Sequence, residues 1–262
     1  MEFKKIIFAI GAISFLTACE PEGTPADSAE VEHFTMNPRP ESTEPHIMAS
    51  TKRVCEDRAA VEGVDVSGWD PKTNWATVQK SGRVFGIVKA TEGITFKNNL
   101  FALDWSGIKK VGLVRGAYHY YHPSRDALAQ ANFFLKTVGQ LEKDDMPAIF
   151  DWEESDDVSA KKQIAGAKVW LDTVEAATGK VPMIYISPSY INELGNPKGF
   201  DRYPLFIANY KVNCPAVPSP WKTWAIWQHT IGPVSGVKSG NADMDDFNGS
   251  LMQLLSFVNG GQ

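Results

Sequence analysis

Three carboxylate side chains stand at positions where acid–base chemistry would need them. Asp151 and Glu153 end an apolar run that begins at Ala148, and Asp65 ends another short apolar run. Residues two apart on an extended strand point to the same face, so Asp151 and Glu153 face one way and Trp152 the other. Two carboxylates facing one interior repel each other, which raises the pKa of at least one toward that of a general acid. A solvated acidic strand end is the alternative, but the apolar residues before the pair and the third acid favour an interior site.

The elements that must hold these acids alternate along the chain from residue 61 onward. Short apolar runs predict eight strands, at 63–67, 84–90, 114–122, 147–153, 182–187, 205–210, 224–229 and 243–247. Helical patterns predict helices at 74–81, 98–111, 124–138 and 160–178, with a short one at about 188–194. We therefore predict one α/β barrel, rich in parallel strands and incomplete in its final helices, with its chemistry at the C-terminal strand ends.

Composition and charge exclude several classes of protein. The chain has 262 residues, of which 43% are hydrophobic, so it is not wholly disordered and can bury a sizeable core. The balance of 26 basic against 31 acidic residues gives a net charge of −5, which does not favour nucleic acid as a partner. No apolar run approaches the roughly 20 residues of an ordinary transmembrane helix.

The first 18 residues are typical of an export signal. Lys4 and Lys5 precede the apolar run 6–16, and Leu16-Thr17-Ala18-Cys19 follows it. This ending resembles the lipobox of bacterial lipoproteins, which implies cleavage before Cys19 and acylation of that residue. A buried N-terminal helix with an incidental cysteine is the alternative.

Residues 19–60 are predicted to form a lipidated, flexible tether. The segment is rich in Pro, Glu, Ser and Thr, and residues 20–60 carry nine acids and four bases, a net −5. About 40 such residues span roughly 35 Å, which would let residues 61–262 work away from a membrane. We expect an exported, lipid-anchored protein, on the periplasmic side of the outer membrane in a cell with two membranes, otherwise on the outer face of the cytoplasmic membrane.

The remaining cysteines form an even pair if Cys19 is lipidated. Cys55 and Cys214 would then lie in an exported and oxidising compartment, which predicts a disulfide between them. Two unrelated free thiols are the alternative.

Seven short motifs occur in a fixed order along residues 61–258, and together they carry a resemblance. They are Gly63–Ser67, Val88–Gly93, Gly116–Tyr120, Phe150–Glu153, Ile207–Tyr210, Trp227–Gln228 and Asp243–Gly249. In this order they resemble family 25 of the glycoside hydrolases, the muramidase-type lysozymes. The resemblance implies a modified TIM-type barrel with about five βα units and three closing strands.

The resemblance also implies roles for the acids. Glu153 matches the catalytic acid and Asp151 its partner carboxylate, while Asp65 and Asp243 match two further aspartates of the cleft. Glycoside cleavage needs a proton donor for the leaving oxygen and negative charge for an oxocarbenium-like transition state. Asp151 would either act on the sugar directly or orient the N-acetyl group of the substrate.

Aromatic residues within the motifs are candidates for stacking on sugar rings. The predicted substrate contacts are Tyr118, Tyr120, Tyr185, Tyr210 and Trp227, with Gln228 as a polar contact. Packing in the core is the alternative for each of them. His119 and His122 would point to opposite faces of a strand, so we predict no shared metal ion and no cofactor.

The sequence departs from the family pattern in two places. Asp70-Pro71 stands where the family usually has Gln-Gly, and Asp245 stands where it usually has Asn. We expect both changes to add negative charge near the rim of the site and to affect subsite contacts or the pH optimum.

The resemblance implies an N-acetylmuramidase that cuts the β-1,4 bond between N-acetylmuramic acid and N-acetylglucosamine in peptidoglycan. The expected partners are glycan strands and, through the anchor, a membrane, with the protein as a monomer. A non-catalytic wall-binding module and an anchored scaffold or competition factor on the same fold are the alternatives. The retained acids argue against a pure binding module, because binding needs no acid–base set.

Overall fold

A computed structural model describes residues 52–55, 58–68, 72–238 and 241–260. The predicted signal peptide, Cys19, most of the predicted tether and Asp70-Pro71 lie outside these described residues. Within them, no helix is long and apolar enough to cross a membrane.

The described residues form ten strands and six helices. The strands are β1 Lys52–Val54, β2 Arg58–Val66, β3 Phe85–Glu92, β4 Phe96–Lys97, β5 Val114–Tyr120, β6 Ile149–Asp151, β7 Met183–Ile186, β8 Leu205–Ala208, β9 Ile226–Pro233 and β10 Asn241–Phe247. The helices are α1 Trp75–Lys80, α2 Phe101–Lys110, α3 Ala127–Val138, α4 Ala160–Thr178, α5 Pro188–Glu193 and α6 Leu251–Val258.

Eight of these described strands close into a barrel. Its order is β2-β3-β5-β6-β7-β8-β9-β10, and the additional pairing of β10 with β2 completes the ring. All neighbouring strands are parallel except β10, which is antiparallel to both β9 and β2. β1 and β4 add short antiparallel hairpins to β2 and β3. The predicted α/β barrel is confirmed.

Alternating side chains on the strands make two apolar layers. Phe85, Ile149 and Phe206 belong to the layer that fills the barrel. Phe150 and Ile207, one residue away on their strands, belong to the layer between the barrel and its helices. Alternate residues on a strand point to opposite faces. Each strand therefore sends one set of side chains toward the site and the other set against the helices.

The structure differs from the predicted elements in several places, and β4 is a short strand that the sequence pattern did not predict. The ordered sheet begins with β1 and β2, before the predicted domain start at residue 61. β6 ends at Asp151, so Glu153 follows the strand instead of ending it. α6 is an additional helix, and Ser250 and Gln253 begin it with a reciprocal capping box. That capping pattern was the sequence signal for α6.

A disulfide joins the start of the described chain to a distant loop. It links Cys55, between β1 and β2, to Cys214, between β8 and β9, with Cα atoms 5.1 Å apart. The Cα separation lies within the usual range for a disulfide. The bond therefore joins the turn between β1 and β2 to the loop between β8 and β9.

Candidate active site

A cavity opens at the C-terminal ends of the parallel strands. It contains about 400 Å³ of empty space, including its open mouth. It is lined by Asp65, Ile87, Tyr118, Ile149, Asp151, Glu153, Tyr185, Phe206, Gln228 and Asp243. The structure therefore brings the four predicted acids together with three of the predicted substrate contacts, Tyr118, Tyr185 and Gln228.

Asp151 and Glu153 stand at different depths of this cavity. Asp151 is 6% exposed at the end of β6, whereas Glu153 lies beyond the strand and is exposed. Trp152 between them is fully buried in the layer under the helices, where its Nε1 donates to Gln163 Oε1 at 3.3 Å. The alternation places a buried carboxyl at the floor and an accessible one at the mouth.

Burial and mutual repulsion change the acidity of both groups. Burial, and then the charge of Glu153, raise the pKa of Asp151 well above its ordinary value. Partial burial also raises the pKa of Glu153, and the negative charge of Asp243 adds to this rise. The ammonium group of Lys89 opposes both shifts. A carboxyl that keeps its proton above the usual range is suited to general acid catalysis.

Lys89 is a site residue that the sequence analysis did not select. It lies on β3, is only 8% exposed, and its Nζ donates to Glu92 Oε2 at 2.6 Å. The same Nζ lies 4.6 Å from the centre of the Tyr120 ring. A lysine within an otherwise apolar, buried strand was the signal that could have identified it, since buried lysines need partners.

Gln228 organises one wall of the cavity. Its Nε2 donates to Asp65 Oδ2 at 2.7 Å. Its Oε1 accepts from the hydroxyl of Tyr185 at 2.7 Å and from that of Tyr210. The Tyr210 hydroxyl also lies 3.4 Å from Asp243 Oδ1. These contacts hold two tyrosines and two aspartates in one hydrogen-bonded group.

The other two predicted tyrosine contacts lie close to the cavity. Tyr120 is two residues after Tyr118 on β5, so both side chains share the inner face. Burial, and then the charges of Glu153 and Asp151, raise the pKa of Tyr120. Tyr210 is 37% exposed beside Gln228. Both residues are near enough to the acids to border a bound sugar chain.

Trp227 does not lie on the cavity. Its neighbour Gln228 faces inward, so Trp227 faces the outer layer of β9, where it is 5% exposed. Its Nε1 donates to the carbonyl of Asn209 at 2.8 Å, and its ring packs edge-on against Trp224. The prediction that Trp227 contacts substrate is wrong for this structure, because the alternation of the strand turns it into the core.

Asp245 does not lie at the rim either. It is completely buried inside the barrel, opposite Gly63 in the register of β10 with β2. Asp243 and Asp65, the neighbouring pair whose side chains face the barrel interior, lie closer to the mouth. The added carboxyl expected at the rim is therefore buried inside the barrel.

The two histidines on the third predicted strand are separated by the structure. His119 is buried between the barrel and helices, hydrogen bonded to Thr91 Oγ1 at 2.7 Å and stacked on Trp170, and burial lowers its pKa to about 3. His122 contacts Asp156 and Glu92 at 3.0 and 3.2 Å. Among the described residues no group of three or more metal-binding side chains occurs.

Comparisons with known proteins agree with this geometry. The family model described as glycosyl hydrolases family 25 matches residues 64–237. The chain belongs to this family. The protein YegX of Escherichia coli K12 is 37% identical over 207 residues, which cover 76% of this chain and 74% of that protein.

Two further relatives carry functional names. An N,O-diacetylmuramidase of Arthroderma benhamiae is 33% identical over 212 residues, covering 77% of this chain and 88% of that protein. The crystal structure of a lysozyme from Streptomyces coelicolor has a TM-score of 0.74 at 29% identity and covers 81% of this chain and all of that one. The family-25 fold and the glycoside hydrolase class are thus established for this chain.

Proposed function

We propose that this glycoside hydrolase is an N-acetylmuramidase that cleaves the β-1,4 bond between N-acetylmuramic acid and N-acetylglucosamine in peptidoglycan. The observation that carries the proposal is the pairing of a buried Asp151 with an accessible Glu153 in one cavity at the strand ends. The names of its lysozyme and muramidase relatives support the choice of substrate.

Glu153 is the proton donor in this proposal. Its side chain is exposed at the mouth, where a glycosidic oxygen can reach it, and its raised pKa keeps the proton to a higher pH than in an ordinary glutamate. The rate falls as the pH rises through that pKa, because a general acid must be protonated to act.

Asp151 acts from beneath the scissile bond. Its Oδ1 is buried and accepts no hydrogen bond within the described residues, so it can accept one from a substrate N–H. With Asp151 ionised, a form that the ammonium group of Lys89 favours, an N-acetyl group held in this way can attack the anomeric carbon, or the carboxylate can stabilise the developing positive charge directly. Asp65 and Asp243 complete the acidic wall.

The sugar rings lie against tyrosines in this proposal. Tyr118, Tyr120, Tyr185 and Tyr210 supply apolar faces and hydroxyls around the acids, and Gln228 fixes the hydroxyls of Tyr185 and Tyr210. Aromatic rings with a polar end suit sugars, which have both apolar faces and hydroxyl rims.

Product analysis tests the function. The protein is incubated with purified peptidoglycan, and the new reducing ends are reduced with borohydride and identified. We expect reduced muramic acid at the new ends, with release of reducing ends in proportion to enzyme. Folded protein that pellets with the wall but releases no reducing ends would show a binding module instead.

We further propose that the enzyme is lipid-anchored through Cys19. A basic start, a short apolar run and small residues before the cysteine support export and acylation. Cys19→Ala should move the protein from the membrane fraction to the soluble fraction. If the variant still pelleted with membranes in high salt, the anchor would have to be elsewhere.

A further inference from the structure

Asp245 is a buried carboxyl that the proposed reaction does not yet use. It is 0% exposed on the inner face of β10, where it is the next inward-facing residue after Asp243 and lies deeper in the barrel. β2 lies on one side, with Gly63 opposite it, and β9 lies on the other, with Gln228 opposite it. A carboxylate in such a place needs hydrogen-bond donors or a proton of its own.

The surroundings of Asp245 supply no donor. Within the described residues, no N–H or O–H group of the protein donates to either of its oxygens. The amide of Gln228, the nearest candidate across the strands, donates to Asp65 instead. The carboxyl of Asp65 on β2 is near enough to that of Asp245 to act on its pKa, by its charge and as a hydrogen-bond partner. A hydrogen bond between two carboxyl groups requires a proton on one of them.

The charges that face Asp245 place that proton on it. Asp65 faces it from β2, and Asp243 and Asp246 flank it on β10. Asp246 turns the other way, where its Oδ1 lies 3.7 Å from His229 Nε2. Burial, and then these three negative charges, raise the pKa of Asp245 well above its ordinary value. Asp65 already accepts a hydrogen bond from Gln228, which favours its charged form.

We propose that Asp245 is a positioning residue that keeps its proton and donates it in a hydrogen bond to Asp65. Asp65 then accepts from Asp245 on one side and from Gln228 on the other, so its carboxylate is fixed at the wall of the cavity. The inference rests on the proposed muramidase function, because the role of Asp245 is to hold Asp65, an acid that lines the proposed active site.

Loss of this proton has a defined consequence. When Asp245 ionises at high pH, the donor disappears and a second negative charge faces Asp65 inside the barrel. The two side chains then separate, and the contacts of Gln228 with Tyr185 and Tyr210 are disturbed. The stabilising contribution of this hydrogen bond, and the ordering of Asp65 that depends on it, are therefore complete at low pH and are lost as the pH rises through the raised pKa of Asp245.

Asp245→Asn separates this role from a merely structural one. The amide has almost the same shape and donates to Asp65 at every pH. We expect the kcat/KM profile on purified peptidoglycan to fall less steeply at high pH, because the ionisation of Glu153 then acts without that of Asp245. At pH 8 the rate relative to its own optimum should be at least about threefold higher than in the parent. Asp245→Ala removes the donor and should lower kcat/KM at every pH.

Asp246→Asn is the matched control. It removes one charge from the neighbouring residue but leaves the proposed donor in place. Because the charge of Asp246 helps to raise the pKa of Asp245, the Asp246→Asn profile should move at most slightly, and to lower pH, opposite to the change in Asp245→Asn. An Asp245→Asn profile that superimposes on the parent, or an equal shift in Asp246→Asn, would overturn the proposal.

Thermal unfolding gives a readout that needs no activity. The melting temperature of Asp245→Asn minus that of the parent should grow as the pH rises above about 4, since only the parent must lose a proton. A difference that stays constant from pH 4 to pH 8 would overturn the inference. A growing difference in a protein that releases no reducing ends would uphold the proton on Asp245 and reject the muramidase function.

Discussion

The acidity of the site is decided by individual residues with opposing effects. Burial and like charge raise the pKa values of Asp151 and Glu153, and the ammonium group of Lys89 limits that rise. Lys89 is itself held by Glu92, which also contacts His122. Hydrogen bonds to Asp156 and Glu92 outweigh burial and raise the pKa of His122. Lys89 therefore limits the rise in both pKa values through its charge, without a hydrogen bond to either acid among the described residues.

Lys89→Met tests this balance. Removing the positive charge should raise the pKa values of Asp151 and Glu153 together, so both limbs of the kcat/KM profile should move to higher pH by about one unit. Lys97→Met, on the exposed neighbouring strand β4, removes a charge of the same sign and should leave the profile in place. A Lys89→Met profile with unchanged limbs would mean that Lys89 does not tune the acids.

The close contact between β2 and β3 helps to position Asp65 in the cavity. A Cβ on Gly63 of β2 would lie 2.0 Å from the ring of Phe85 on β3. The Phe85 ring is fully buried and packs in the layer that fills the barrel. Gly63 is thus needed so that β2 can carry Asp65 past this ring to the cavity, two residues further along.

Gly63→Ala should destabilise the barrel. Overpacking of a fixed aromatic ring typically costs about 1–3 kcal/mol of the free energy of unfolding, and more when the ring cannot move. Urea unfolding followed by tryptophan fluorescence measures the loss. The double variant Gly63→Ala/Phe85→Leu should recover part of it, and a single variant as stable as the parent would show that the ring moves freely.

The disulfide constrains the whole molecule. Cys55 and Cys214 are 159 residues apart in sequence, so the bond closes most of the barrel into one loop. On the chain-entropy model, such a loop stabilises the folded state by about 4–5 kcal/mol, and often by less in practice. The same bond holds the turn between β1 and β2 against the loop between β8 and β9.

The Cys55→Ser/Cys214→Ser double variant should unfold at lower urea concentration and keep its activity while folded, because neither cysteine lines the cavity. Thiol titration of the denatured, unreduced Cys19→Ala protein should find no free thiol. Two free thiols, or a double variant as stable as the parent, would contradict a stabilising bond.

Much of the fold and of the site can be predicted from the sequence, because these features depend on residues that are close together in the chain. Period-two alternation and turn residues indicate the barrel strands, and the position of Asp151 at a strand end indicates which end carries the chemistry. The face of a residue is harder to predict, since Trp227 and Gln228 share a motif and only their register shows which of them is inside. Asp245 is buried because β10 runs between β2 and β9, a long-range pairing that no local pattern specifies. Lys89 was missed because its place beside Tyr120 and the acids depends on the pairing of β3 with β5, although its hydrogen-bond partner Glu92 lies on the same strand.

The most direct test of the account compares the parent with Glu153→Gln on purified peptidoglycan, with reducing ends as the measurement. The substitution keeps the shape of the side chain and removes its proton. The rate should fall by about 10²–10⁴-fold, as general-acid losses do, while the melting temperature stays near that of the parent. A folded Glu153→Gln protein that works within threefold of the parent would contradict Glu153 as the proton donor.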